Sequence, residues 1–178
     1  MPEPQPFRPD EILRVLAEHR VEFVVIGGLA AALHGADHVT TDIGVTPRRS
    51  GENLDRLSAA LRSLDARIRV AAVPEGVPFA HDGRSLGQSQ MWHLQTRYGD
   101  LDLAMAPAAF AEGWDALHPG AVVVHLRGVA TEIASLADVI ASKSAADRPK
   151  DRATLPMLRA LLARQQREAG NGPNGAGG

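Results

Sequence analysis

The sequence predicts a mixed α/β domain arranged around one sheet, and three observations carry that expectation. First, a β-branched apolar run at residues 21–26 ends in Gly27-Gly28 and passes into an alanine- and leucine-rich segment, the pattern of a buried strand feeding a helix. Second, the order of periodic segments is helix, strand, helix, strand, helix, then a strand-rich half and two closing helices. Third, 178 residues at 44% hydrophobic content suit a single domain with a real core. Residues 1–168 are expected to form that domain, and no internal repeat of fixed period is visible.

Pro9 stands where a first helical turn tolerates it, and Ile12, Leu13 and Leu16 follow at helical spacing, which predicts an amphipathic helix over 9–19. Residues 21–26 read as a strand, and 29–34 as a short helix closed by Gly35. Residues 42–46, stopped by Pro47, read as a second strand. Ser50 is placed to cap a helix whose Leu54, Leu57, Leu61 and Leu64 recur at three- and four-residue intervals. A strand follows at 68–73, and 74–89 carries the glycine, proline and polar residues of a mobile loop. Residues 91–96 and 100–105 flank Arg97-Tyr98-Gly99 as a hairpin. A helix is expected at 107–117, and a strand pair at 121–126 and 129–133 around Arg127-Gly128. Ser135 with Asp138 resembles a capping box that opens a helix, and a last helix spans 150–168, kinked or restarted near Pro156. The glycine-rich residues 169–178 have too little apolar surface to offset the entropy of ordering and are expected to be disordered.

Composition narrows the chemistry. The formal net charge is −2, so a nucleic-acid contact needs a local basic patch rather than a basic domain. The absence of cysteine removes disulfides, thiol nucleophiles and thiolate metal sites, leaving carboxylates and histidines as ligands. Neither a signal-peptide pattern nor an apolar run of membrane-spanning length occurs, so a cytoplasmic protein without membrane contact is expected.

The segment 24–45, VVIGGLAAALHGADHVTTDIGV, carries the chemistry. A glycine pair at a strand-to-helix junction lets backbone amides approach phosphate oxygens, or serves only as a tight turn. Some fourteen positions on, Asp42 stands in a strand, where residues i and i+2 share a face. Position 44, which would share that face, is glycine. In GDLDLAM the leucines and Met105 form one face and Asp100 and Asp102 the other. Carboxylates paired in this way suit divalent cations, which neutralise phosphates and activate an attacking hydroxyl. Each acid also has a plain reading: Asp42 as a strand-end cap, Asp100 as a turn residue, Asp102 as a solvent-facing charge. Lys143 lies one turn beyond Leu136, Val139 and Ile140 and reads as a phosphate partner or as a lysine snorkelling from a buried stripe. Arg148, Lys150 and Arg152 read as a solvated basic patch that would suit an RNA backbone. His34, His81 and His93 lack metal-ligand spacing and read as structural or surface histidines, and Trp92 and Trp114 as core aromatics.

On Gly27, Gly28, His34, Gly35, Thr40, Asp42, Gly99, Asp102, Lys143, Arg148 and Asp151 the chain resembles the minimal nucleotidyltransferase-like proteins of the AbiE-type and MenT-type toxins, within the polymerase-beta superfamily. The resemblance covers most of the chain and is broken at His38, where arginine is usual, and at Gly44, where that family carries a second acid. It implies a polymerase-beta-type fold and Mg²⁺-dependent (or Mn²⁺-dependent) transfer of a nucleotide from an NTP to RNA, often a tRNA 3′ end, or to a protein. A cognate antitoxin is the implied partner. It also implies catalytic roles for Asp42, Asp102 and Lys143, a nucleotide site at Gly27, Gly28, Thr40 and Lys143, and a metal between Asp42 and Asp102. With Gly44 in place of a carboxylate, the alternative is a pseudoenzyme that binds nucleotide, RNA or a partner without chemistry.

Overall fold

Alternation of apolar and polar residues in two short strands sorts this molecule into a core side and a pocket side. The computed structural model describes residues 6–171. Its elements in order are α1 (Pro9–Glu18), β1 (Phe23–Ile26), α2 (Gly27–Leu33), β2 (Asp42–Pro47), α3 (Gly51–Ser63), β3 (Arg67–Val70), β4 (Val73–Val77), α4 (Gly83–Leu86), β5 (Met91–Thr96), β6 (Gly99–Ala104), α5 (Trp114–Leu117), β7 (Val122–Leu126), β8 (Val129–Ile133), α6 (Leu136–Ala146) and α7 (Pro149–Gly170). One mixed sheet has the order β4-β3-β5-β6-β2-β1-β8-β7. The α/β expectation holds, with one mixed sheet flanked by helices.

The centre of the sheet positions the pocket. β2 pairs with β6 in parallel, with Asp42 beside Asp100, Ile43 beside Leu101, Gly44 beside Asp102 and Val45 beside Leu103. Because side chains alternate along a strand, Ile43, Val45, Leu101 and Leu103 all reach the core, where each is fully buried with Ile12, Leu13 and Leu16 of α1 and Leu57 and Leu61 of α3. The acids and Gly44 are left on the opposite face. Burying each such leucine or isoleucine contributes roughly 1.5–3 kcal/mol.

Local chemistry sets the element ends. α1 closes with Arg20 in the left-handed region (φ 56°) and with the Val21 amide donating to the Leu16 carbonyl, so β1 begins at Phe23 rather than at 21. Ser50 caps α3 by accepting from the Asn53 amide. The fully buried Asn53 side chain accepts from the Glu22 amide at 2.7 Å and donates to the Glu22 and Arg48 carbonyls at 2.9 and 2.8 Å. It thereby ties α3 to the start of β1 and the end of β2. Ser135 accepts from the Asp138 amide at 3.1 Å, which confirms the cap on α6. The Arg127-Gly128 turn has φ of 47° and 84°, as a two-residue hairpin between β7 and β8 requires.

Further expectations change, and the strand expected at 68–73 is β3, which ends at Val70. The stretch expected to be a mobile loop at 74–89 contains β4 and the helical turn α4. β4 forms because it pairs with β3, and α4 because Asp82 and Ser85 make a complete capping box. The helix expected at 107–117 is reduced to Trp114–Leu117, because Gly113 takes φ 57° against the Met105 carbonyl and breaks any helical run from Pro107. α7 continues unbroken through Pro156 and reaches Gly170, past the boundary expected at 168. The remainder of the expected disordered tail, 172–178, lies outside the described residues.

A Cβ on Gly113 would stand 2.0 Å from the Met105 carbonyl oxygen, whereas one on Gly51 would meet nothing within 4 Å. Gly113→Ala is therefore expected to destabilise the protein by about 2 kcal/mol or more, and Gly51→Ala by less than about 0.5 kcal/mol. Urea unfolding of both variants checks the difference.

Candidate functional site

The pocket is built where the carboxyl-bearing face of β2 and β6 meets the glycine pair that opens α2 and the joint between α6 and α7. A cavity of about 460 Å³ is lined there by Gly27, Gly28, Thr40, Asp42, Asp102 and Lys143 together. The six residues that the resemblance assigns to a site thus line one cavity, and Asp100 does not line it. His38, Gly44, Arg148 and Lys150 border the same space. The volume lies within the usual range for small-molecule and cofactor sites.

The glycine pair works differently at its two positions. Gly27 has φ 68° and a Cβ there would meet nothing within 4 Å, so its face is open to the cavity. At Gly28 a Cβ would stand 2.9 Å from His38 Nε2 and 3.1 Å from Thr40 Oγ1. A side chain at the second glycine would thus crowd the side chains of His38 and Thr40 on the connection to β2. Thr40 Oγ1 in turn lies 2.9 Å from the Asp42 carbonyl oxygen and 3.1 Å from Asp42 Oδ1, which places this hydroxyl as an orienter of the acid.

On the acidic side, sequence reasoning missed two partners. Arg69 of β3 bridges the acids of β6, with Nη1 2.7 Å from Asp100 Oδ2 and Nη2 3.0 Å from Asp102 Oδ1. His93 of β5, read from the sequence as structural or surface, places Nδ1 2.9 Å from the same Asp102 oxygen. Burial opposes the charge on Arg69, but attraction from Asp102 and Asp100, a hydrogen bond to Asp100 and the more distant Asp42 outweigh it, so its pKa is raised. The signal for Arg69 was the alternation RIRV. What was not readable was the order β3-β5-β6, which carries Arg69 across one intervening strand to the acids.

The position of the absent second acid is also covered. A Cβ on Gly44 would lie 3.1 Å from Ile26 Cγ1 and 3.6 Å from Ile26 Cδ1. No group of three or more His, Asp or Glu side chains suited to a metal ion occurs among the described residues. Position 44 offers no side-chain oxygen, and an Asp102 oxygen is engaged by a guanidinium and an imidazole. This donor set does not fit a divalent cation held by a strand pair of acids and a third carboxylate.

The basic side is organised by one buried acid. Asp151, fully buried, accepts from Lys143 Nζ at 3.2 Å and from Arg148 Nε at 2.6 Å and Nη2 at 3.2 Å. Burial alone would raise the Asp151 pKa, but hydrogen bonds and attraction from Arg148 and Lys143 overcome it, and the pKa is lowered. Arg148 and Lys150 therefore belong to the pocket rather than to a detached surface patch, whereas Arg152 pairs with Asp147 at 3.0 Å. His34 is structural: its Nε2 stands 2.8 Å from the Ala134 carbonyl oxygen, and its own carbonyl accepts from Gln165. Trp92 donates to the Leu86 carbonyl and stacks on Phe79 as a core aromatic. His81 contacts Ser58 Oγ away from the pocket.

Solved nucleotidyltransferases share this fold. The antibiotic-resistance factor ANT(2'')-Ia in solution superposes with a TM-score of 0.53 at 17% identity over 91% of each chain. The lincosamide antibiotic adenylyltransferase LnuA, with lincomycin bound, gives a TM-score of 0.57 at 14% identity over 86% of this chain and 95% of that one. ANT(2'')-Ia in complex with adenylyl-2''-tobramycin gives 0.52 at 16% identity over 90% and 91%. No family model matches the sequence, and no curated protein matches it. No helix among the described residues is long and apolar enough to cross a membrane.

Removing Asp151 strands a lysine whose side chain is 11% exposed. Asp151→Asn is expected to cost about 3–5 kcal/mol, the range for breaking one partner of a buried pair. Because the folded pKa of Asp151 is lowered, its contribution is complete above the unfolded carboxylate pKa and is lost as pH falls through the folded value. Urea melts of the wild type taken downward from pH 5 should therefore lose stability more steeply than those of Asp151→Asn.

Proposed function

We propose that the pocket binds an NTP and that the protein transfers its nucleotide to a hydroxyl acceptor. The carrying observation is that one cavity holds an oriented carboxylate, Asp42, on one wall and the clamped cations Lys143 and Arg148 on the other. In the transfer, the acceptor oxygen attacks the α-phosphorus and the bond to the β-phosphate breaks. Pyrophosphate leaves, and Asp42 takes the hydroxyl proton. Lys143, Arg148 and Lys150 meet the charge of the departing phosphates as point charges and as a planar fork. Gly27 supplies the open wall where a side chain would crowd the phosphates. Mg²⁺ or Mn²⁺, implied by the family resemblance, meets a donor set that does not fit it, so charge neutralisation is assigned here to the cationic wall.

The resemblance to AbiE-type and MenT-type toxins favours RNA, such as a tRNA 3′ end, or a protein as acceptor, and a cognate antitoxin as partner. The solved neighbours favour a small acceptor, since one holds lincomycin and another an adenylylated tobramycin. A second reading, a nucleotide-binding module without chemistry, is favoured by Gly44 and by the Ile26 side chain over it.

Incubation with α-³²P-labelled NTPs, total tRNA and aminoglycosides, with divalent cation or with chelator, tests the assignment. The wild type is expected to label an acceptor and Asp42→Ala to lose the label. Arg148→Ala is expected to weaken NTP binding at least about tenfold, the loss of one charge-assisted contact of about 1.5–3 kcal/mol. NTP binding without labelling of any acceptor selects the binding module. In that case the double variant Gly44→Asp/Ile26→Ala, which restores the acid and the room for it, is expected to gain transfer. Absence of any thermal shift with every NTP contradicts both readings.

A further inference from the structure

The misfit between this acid set and a divalent cation has a local cause in Arg69, an inference that rests on the reading of Asp42 and Asp102 as borders of a nucleotide pocket. Asp102 Oδ1 sits between two nitrogens, Arg69 Nη2 at 3.0 Å and His93 Nδ1 at 2.9 Å. The same guanidinium holds Asp100 at 2.7 Å through its other nitrogen. It therefore bridges both acids of β6 rather than forming one loose surface pair. Its side chain is 31% exposed and that of Asp102 is 23% exposed, so water screens the contact only in part. Arg67, two residues earlier on β3, turns instead to Asp65 at 3.8 Å. The latch is thus a property of one residue and not of a general basic strand.

We propose that Arg69 is a positioning residue that latches Asp102 and Asp100 and keeps the divalent-cation affinity of this face low. A cation such as Mg²⁺ binds carboxylate oxygens at about 2.0–2.1 Å and demands a nearly ideal geometry. To reach Asp102 Oδ1 it must displace a hydrogen-bonded guanidinium and then lie close to its positive charge, which opposes binding. Gly44 offers no oxygen to offset that loss, and Ile26 occupies the space beside it. With Arg69 withdrawn, Asp100 and Asp102 lose their shared guanidinium and stand with Asp42 on one face of paired strands, in register at Asp42 and Asp100, with His93 still beside Asp102 and Thr40 beside Asp42.

The test is Mn²⁺ titration of the full chain without nucleotide, read by the electron paramagnetic resonance signal of free Mn²⁺. Arg69→Gln is expected to bind Mn²⁺ at least about tenfold more tightly than the wild type, the scale on which partners of metal ligands act. Arg69→Lys, which reaches one acid at a time, should fall between them. Arg69→Gln/Asp102→Asn should lose the gain. An Arg69 that merely holds β3 to β6 gives equal or weaker Mn²⁺ binding on removal, never tighter. The latch is overturned if neither Arg69→Gln nor Arg69→Lys binds Mn²⁺ more tightly than the wild type, or if the gain survives Asp102→Asn. NTP binding measured in chelator on the same proteins judges the nucleotide reading separately, since the Mn²⁺ comparison contains no nucleotide.

Discussion

The parallel pairing of β2 with β6 is the constraint on which the rest of the molecule depends. Its register sets Asp42 beside Asp100 and Gly44 beside Asp102, and puts Ile43, Val45, Leu101 and Leu103 together in the core. A one-residue slip of either strand would turn its two apolar side chains outward and drive its acid side into the core, so burial enforces the register without any contact among the acids themselves. Parallel partners cannot be joined by a tight turn, and here the intervening chain supplies α3, β3, β4, α4 and β5 before β6 returns. That detour is what delivers Arg69 and His93 to Asp102.

The opposite wall of the pocket is governed by a different balance. Asp151 is fully buried and its carboxylate is shared by Lys143 and Arg148 at the joint between α6 and α7. Asp147 takes a left-handed conformation at the end of α6, and Pro149 opens α7, which turns the chain sharply enough to bring the three groups together. Taking such charges out of water is costly, and their attraction only partly offsets the cost. What the arrangement supplies is geometry: two cations held at a fixed place on the cavity rim. Thr40 does the equivalent for Asp42 on the acidic wall. Positive and negative groups therefore line the same cavity, Lys143 and Arg148 fixed by the buried Asp151 and Asp42 by its neighbour Thr40.

Much of this was legible in the chain because local and global preferences agree. The strand running into Gly27-Gly28, the leucine-striped α3, both hairpins and the Ser135 cap all form where period and turn chemistry place them. The pocket residues were legible because their types and spacing are unusual for a surface. Legibility failed where a long-range contact overrode local composition. Residues 73–77, with proline and glycine, form β4 only because β3 provides a partner. Residues 107–113 look helical, but Gly113 is recruited to a positive φ against the Met105 carbonyl. Gly28 reads as a phosphate glycine, yet the crowding it relieves comes from His38 and Thr40. Arg69 and His93 could not be assigned, since their relation to Asp102 exists only in the strand order of the folded sheet.

The proposed transfer requires a triphosphate between Asp42 on one side and Lys143 and Arg148 on the other. A crystal structure of the protein with a non-hydrolysable NTP analogue measures it directly. Phosphate oxygens are expected within hydrogen-bond distance of Lys143 Nζ and the Arg148 guanidinium, with the α-phosphate facing Asp42 and Gly27 along the chain of phosphates. An analogue bound elsewhere, or seated in this cavity with its phosphates directed away from Lys143 and Arg148, would contradict it.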